Sequence, residues 1–279
     1  MLISDFAKTG NHSSTASAFK PRKSLGQNFL ISKDVAAAEA EYAKGMNVLE
    51  LGPGTGILTK ELCKTAKRVI AIEKDTKLAG MIAATLKNEK LTLIEADFFS
   101  VDFNALGKID IMVSNIPYGL SSRVIYWLSD RNMPALICIQ KEFAEHMTAK
   151  PGTRNYSKLS VVSSLSFSAH HVRDVPAGNF YPKPRVDSAL VYLVPKRSAI
   201  GSDITAMISL IMNHKKKRLR NAIIDSSKEL GLTKKEARGV SAEFKDADLR
   251  PFQLEPMQIL EIAAQLKATS SKLRTSIGS

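Results

Sequence analysis

The chain has 279 residues, 44% of them hydrophobic, enough for one sizeable core and a smaller second domain. Its 40 Lys and Arg against 27 Asp and Glu leave a net charge of +13, which favours a polyanionic partner, nucleic acid being the commonest. Cys63 and Cys138 sit in apolar periodic stretches without metal-ligand spacing, no run nears the roughly 18–20 apolar residues of a membrane span, and the start lacks a secretory pattern, so neither metal nor membrane is expected and a cytoplasmic location fits.

Residues 1–19, rich in Ser, Thr, Ala and Asn, read as a mobile tail. Ser32 is placed to cap a helix over Lys33–Lys44. The short apolar runs Asn47–Leu51, Arg68–Ile72, Leu91–Glu95, Ile109–Ser114 and Ala135–Gln140 read as buried parallel strands. Ile57–Lys67 and Thr76–Asn88 between them have helical composition, and this alternation predicts a doubly wound α/β sheet. Leu159–Val172 and Ser188–Val194 read as two further strands. After Pro195 the texture changes, and Gly201-Ser202-Asp203 opens a helical region whose Ser-rich last ten or so residues are expected to fray. The expected organisation is therefore a tail over 1–19, a Rossmann-like domain over 20–198 and a small helical domain over 199–279.

The chemistry-bearing segments follow the strands. Glu50-Leu51-Gly52-Pro53-Gly54-Thr55-Gly56 ends a strand and opens a helix, and glycines let a backbone turn sharply against a ligand. Glu73 stands about 20 residues beyond Gly52, at the end of the second strand, where such sheets use an acid to hold ribose hydroxyls. These features alone suit NAD or S-adenosylmethionine. Glu50 before the glycines and Pro53 within them favour the latter, because a carboxylate repels a pyrophosphate and suits a sulfonium and an ammonium. Asp97, after the third strand, is placed to accept from an adenine amine, with Phe98 beside the ring.

Ser114-Asn115-Ile116-Pro117-Tyr118 follows the fourth strand at the same sheet edge. An exocyclic adenine amine is a poor nucleophile, so an enzyme that methylates it must position, desolvate and rehybridise the nitrogen. The Asn115 side-chain oxygen and a backbone carbonyl at Ile116 or Pro117 can each accept one amine hydrogen, Pro117 stiffens the turn, and Tyr118 can stack on an extruded base. In Asn179-Phe180-Tyr181-Pro182-Lys183-Pro184-Arg185-Val186-Asp187-Ser188, Phe180 can cover the base from the other face, with Lys183 and Arg185 on phosphates. The densest basic run, His214-Lys215-Lys216-Lys217-Arg218-Leu219-Arg220, is read as part of a phosphate-contacting helix.

Eight segments in this order, Pro21–Leu30, Glu50–Gly56, Glu73, Asp97, Asn115–Tyr118, Gln140-Lys141-Glu142-Phe143, Tyr156–Ser160 and Phe180–Ser188, resemble the KsgA-like small-subunit ribosomal RNA adenine dimethyltransferases, archaeal-type branch, over roughly residues 20–265. The resemblance implies a class I S-adenosylmethionine-dependent methyltransferase fold. It implies that Gln27, Asn28, Leu30 and the Gly52, Gly54, Gly56 turn face the methionine end of the cofactor, with Glu73 on ribose and Asp97 on adenine. Asn115 would meet both target amine and cofactor, while Tyr118 and Phe180 clamp the base. Lys183, Arg185, Lys215, Lys216, Lys217 and Arg218 would meet RNA. The implied reaction dimethylates two adjacent adenosines near the 3′ end of 16S rRNA in a pre-ribosomal 30S particle, by a monomeric enzyme with a role in subunit biogenesis. One departure is Ser157-Lys158 after Tyr156, where the family has Gly-Arg; charge is kept but the planar fork is lost. Two readings stay beside this one: a large-subunit methylase of the antibiotic-resistance type, and a non-catalytic RNA-binding assembly factor.

Overall fold

The Ser32 hydroxyl accepts from the Val35 N–H at 3.3 Å and opens helix α1, Lys33–Glu41, whose buried stripe is Val35, Ala36, Glu39 and Ala40. The structure, a computed structural model, describes residues 27–196 and 200–277, with side chains to Ser270. The tail expected over 1–19 and the Pro21–Gly26 part of the first motif lie outside the described residues.

The strands are β1 Phe29–Leu30, β2 Asn47–Leu51, β3 Arg68–Glu73, β4 Leu91–Glu95, β5 Ile111–Asn115, β6 Ala135–Gln140, β7 Phe167–Val175, β8 Phe180–Tyr181 and β9 Ser188–Pro195. A seven-stranded sheet runs β4-β3-β2-β5-β6-β9-β7, and β1 pairs with β8 in a small antiparallel ladder. From β4 to β6 all neighbours are parallel, and β9 runs antiparallel to β6 from Ala135↔Leu193 to Gln140↔Ser188. Helices α2, Ile57–Thr65, and α3, Thr76–Thr85, carry the chain outward from β2 to β4; it then returns to β5 on the other side of β2. Ligands of open α/β sheets bind at such a switch point, outside the carboxyl ends of the strands. The expected α/β sheet is therefore present, with central strands nearly free of exposed positions.

The remaining helices are α4 Ser121–Arg131, α5 Lys141–Met147, α6 Lys158–Ser166, α7 Ser202–Asn213, α8 Leu219–Asp225, α9 Ser227–Leu230, α10 Lys234–Ala242 and α11 Pro256–Ile277. Three of them correct the sequence reading. Leu159–Val172 is not one strand: α6 occupies its first half and β7 begins at Phe167. The Ser157 N–H donates to the Ser160 Oγ at 3.0 Å in a capping box, which starts a helix despite the β-branched Val161 and Val162. Because α6 is buried from Leu159 to Ser163, its sequence lacks the polar face that marks a surface helix. The basic run is a turn over His214–Lys217 between α7 and α8, with Arg218 as the extended cap of α8 and Leu219 and Arg220 opening that helix. It follows the carbonyl end of α7, where cations are favoured. The Ser-rich end continues as α11, with the buried Ser270 Oγ donating to the Leu230 carbonyl at 2.7 Å.

The chain divides into two compact units. One comprises the described residues through Val124, Met133–Ala144 and His170–Val194, and contains a core in which Leu30, Val48, Val69, Val113, Leu136 and Phe180 are buried. The other takes Ile125–Asn132, Glu145–Ala169 and Pro195 onward, around Val161, Ile208, Ile223, Ile259 and Leu266. In this helical unit the fully buried Tyr156 donates its hydroxyl to the Leu254 carbonyl at 2.9 Å. Tyr156→Phe removes that bond while keeping the ring, so urea unfolding should show a loss of about 0.5–1.5 kcal/mol; an unchanged midpoint would show that water replaces the bond at no cost.

Candidate active site

The loop after β2 turns on glycines. Gly52, Gly54 and Gly56 have φ of +65°, +59° and +78°, a region other residues enter at a cost. A Cβ on Gly54 would stand 3.0 Å from Phe29 Cδ1, so space as well as conformation demands glycine there. The end of β3 pins this loop. The Glu73 carboxylate accepts from the Gly54 N–H at 3.1 Å with one oxygen and from the Asp75 N–H at 2.8 Å with the other, and the Ile72 carbonyl accepts from the Gly52 N–H at 2.9 Å.

Asp97 follows β4. One of its oxygens accepts from the Phe99 N–H at 3.0 Å and the other pairs with the Lys74 ammonium at 2.8 Å. The Lys74 hydrogen bond holds the Asp97 carboxyl below the usual range. The Arg123 guanidinium lies 3.7 Å from the centroid of the Phe99 ring, a cation–π contact on the same wall.

At the end of β5, the Ser114 hydroxyl donates to the Leu51 carbonyl at 2.7 Å, tying this strand to the glycine loop. The Asn115 side-chain N–H donates to Glu39 Oε2 at 2.9 Å. The Asn115 Oδ1 and Glu39 Oε1 atoms are buried without a protein partner. Pro117 caps a single 3₁₀ turn, Tyr118–Leu120, and the Tyr118 hydroxyl is 2.8 Å from the Ser188 hydroxyl.

These loops enclose a cleft of about 540 Å³, within the roughly 300–1,000 Å³ usual for small-molecule sites. Gln27, Asn28, Gly52, Gly54, Glu73, Asp97, Asn115 and Pro117 line it. A small adjoining pocket is lined by Asn28, Asn115, Ile116, Pro117, Tyr118, Cys138 and Phe180, so Asn28, Asn115 and Pro117 belong to both. Two residues expected at the site do not line either space. Leu30 is packed in the core opposite Phe180 across the β1–β8 ladder, and Gly56 opens α2 facing Ile82. Lys183 and Arg185 are exposed on the loop after β8. In the helical unit, the Lys215 ammonium bonds the Tyr156 carbonyl, Lys217 pairs with Asp225 at 2.6 Å, Arg218 and Arg220 share Asp248, and Lys216 is exposed.

The sequence reading missed Phe29, Lys74, Leu78, Phe99 and Arg123 on the cleft wall, and Glu39 beneath it. Phe29 and Lys74 adjoin residues that were singled out, so adjacency was the available signal. Arg123 and Glu39 sit on helices whose neighbours in space only the fold reveals. Burial dominates the electrostatics here. It pushes the Glu39 and Glu50 carboxyls up to about 8, with Glu50 adding to the rise at Glu39 and Glu73 to that at Glu50, and it raises Glu73 itself.

Residues 18–273 match the family described as ribosomal RNA adenine dimethylase. The chain is 37% identical to the probable ribosomal RNA small subunit methyltransferase A of Pyrococcus furiosus over 257 residues, covering 89% of this chain and 93% of that one. It is 38% identical to the protein of the same description from Thermococcus kodakarensis over 255 residues, covering 88% and 90%. Among solved structures, a dimethyladenosine transferase from Plasmodium falciparum superposes with a TM-score of 0.70 at 26% identity, covering 87% of this chain and 98% of the other.

The buried carboxyls give the protein a specific pH dependence. In the folded chain Glu39 and Glu50 stay protonated up to about 8, whereas unfolded they ionise from about 4.5. Between those values the folded state binds more protons, so stability falls as pH rises, by up to about 1.4 kcal/mol per pH unit for each such group. Urea unfolding from pH 5 to 9 should show this decline, and Glu39→Gln and Glu50→Gln should each flatten it; an equally steep decline in both variants would contradict the assignment.

Proposed function

The chain belongs to the ribosomal RNA adenine dimethylase family, and from that premise we propose that it dimethylates the N6 amines of two adjacent adenosines near the 3′ end of small-subunit rRNA in a pre-ribosomal particle. It is an S-adenosylmethionine-dependent rRNA adenine dimethyltransferase with the class I, Rossmann-like fold. The names of its relatives, which specify the small subunit, support that substrate over a large-subunit one. Action as a monomer in the cytoplasm accords with this reading; no helix among the described residues is long and apolar enough to cross a membrane.

The cleft suits the cofactor. Its glycine backbone admits close approach, Glu73 on the cleft wall keeps lone pairs for ribose hydroxyls, and Asp97 with Phe98 and Phe99 makes an acid-and-aromatic end for adenine. Glu73, on the cleft wall, is the acid beside the site of a ligand that carries a sulfonium, while Glu50 lies buried behind the loop. When bound, S-adenosylmethionine supplies an activated methyl group, so the protein needs no strong base. Gln27 and Asn28 line the cleft beside the loop and are assigned to the amino-acid end.

The observation that carries the reading is the Asn115 Oδ1 atom. It is buried, has no partner in the protein, and belongs to the residue common to the cofactor cleft and the small pocket of Tyr118 and Phe180. There it is placed to accept a hydrogen bond from the target amine, with the backbone at Ile116 or Pro117 as second acceptor. That bond strengthens as the nitrogen turns pyramidal, so it lowers the barrier more than it aids binding. Tyr118, steadied by Ser188, and Phe180 are assigned to hold the extruded base. Lys183, Arg185 and the basic turn Lys215–Arg218 are assigned to phosphates, with Lys216 the most available, Lys217 and Arg218 exchanging their Asp partners for RNA, and Lys215 leaving the Tyr156 carbonyl.

Incubating the protein with unmodified small subunits and labelled S-adenosylmethionine, then mapping the modified nucleotides, should place dimethyladenosine at two adjacent positions near the 3′ end; label confined to large subunits or to a single site would overturn the assignment. In single-turnover assays at saturating substrates, Asn115→Ala should slow transfer about 100- to 1000-fold with cofactor affinity largely kept. A near-normal rate would reduce Asn115 to a turn residue.

A further inference from the structure

Glu39 is an anomaly on α1. Its neighbours in the inward stripe are Val35, Ala36 and Ala40, yet it is a carboxyl with no exposed surface. Burying such a group is costly unless it is paired, and only one of its oxygens has a partner, the Asn115 side-chain nitrogen at 2.9 Å. The bond joins residues 76 positions apart, from helix α1 to the end of β5.

We infer that Glu39 is a positioning residue that fixes the orientation of the Asn115 amide, so that Oδ1 and not Nδ2 faces the pocket that takes the methyl-accepting amine. The inference rests on the reading of Asn115 given above. An amide can present either end to its surroundings. An ionised carboxylate only accepts hydrogen bonds, so it selects the orientation with Nδ2 turned toward it. The opposite orientation would set two N–H groups against the N–H groups of the substrate.

The groups facing Glu39 are Asn115 on β5, Glu50 on β2, Arg173 on β7 and Cys138 on β6. Burial and Glu50 favour its neutral form, Asn115 and Arg173 its ionised form. Around the midpoint of about 8 the carboxyl changes from a group that both donates and accepts to one that only accepts, and the hold on the amide tightens.

Two variants and two readouts test this. Glu39→Leu fits the apolar stripe but removes the acceptor, and single-turnover methyl transfer at saturating substrates should fall about 10- to 100-fold with KM and cofactor affinity nearly unchanged. Glu39→Gln keeps an oxygen for Nδ2 and should restore most of the rate, while lacking the rise in rate through pH 8 that is expected of the parent protein. Independently of activity, the Asn115 side-chain NH₂ signals, identified in ¹⁵N spectra by their loss in Asn115→Ala, should titrate near pH 8 in the parent, become pH-independent in Glu39→Gln and shift in Glu39→Leu. Wild-type turnover in Glu39→Leu beside an inactive Asn115→Ala would overturn the inference and leave the role of Asn115 standing. Unshifted Asn115 signals in Glu39→Leu would overturn it as well. An active Asn115→Ala would instead remove the reading on which it rests.

Discussion

The glycine loop after β2 is pinned to the end of β3 by one carboxylate, that of Glu73, which accepts backbone hydrogen bonds from Gly54 and Asp75. Both bonds lie in a nearly dry environment, where a charge or strong dipole acts with little screening. The loop's left-handed glycines supply the curvature, but curvature alone does not choose a position. Glu73 sets the loop against the end of β3, and the Ser114 hydroxyl sets the end of β5 against Leu51 on the other side. The switch point thereby becomes a cleft, with Asn115 at one end and Asp97 at the other.

That arrangement concentrates acids where water is scarce. Glu39, Glu50 and Glu73 are all buried in the same unit, and Glu50 disfavours ionisation of Glu39 as Glu73 does that of Glu50. In an empty hydrophobic core this would only weaken the fold. Beside a site for a ligand carrying a sulfonium it becomes complementarity, since bound positive charge favours the ionised form of carboxyls that burial otherwise holds neutral. The stability given up by burying these carboxyls is then tied to the chemistry the site performs.

Much of this was legible in the sequence because parallel α/β sheets place function at strand ends. Glu50–Gly56, Glu73, Asp97 and Asn115–Tyr118 each stand at or just after the end of an apolar run, so finding the strands found the cleft, and the structure puts Gly52, Gly54, Glu73, Asp97, Asn115 and Pro117 around one cavity. What escaped depends on contacts across the chain. The helical stripe of α1 shows that Glu39 points inward, but no spacing says that it meets Asn115. Leu30 shares a motif with Gln27 and Asn28, yet the β1–β8 ladder turns it into the core. In α6, burial on most faces left no polar stripe to distinguish a helix from a strand, and the cap at Ser157 and Ser160 was the deciding signal. The basic run looked helical by composition, but it sits past the end of α7, where Asp225 and Asp248 share its charge.

The central claim is that this carboxyl edge holds S-adenosylmethionine with its methyl directed toward Asn115. A crystal structure of the complex with the cofactor tests it most directly. The account predicts ribose hydroxyls on Glu73, the adenine amine at Asp97 with the ring beside Phe98, and the sulfonium nearest Asn115. A cofactor bound in the reverse sense, or outside the cleft lined by Gly52 and Gly54, would contradict it.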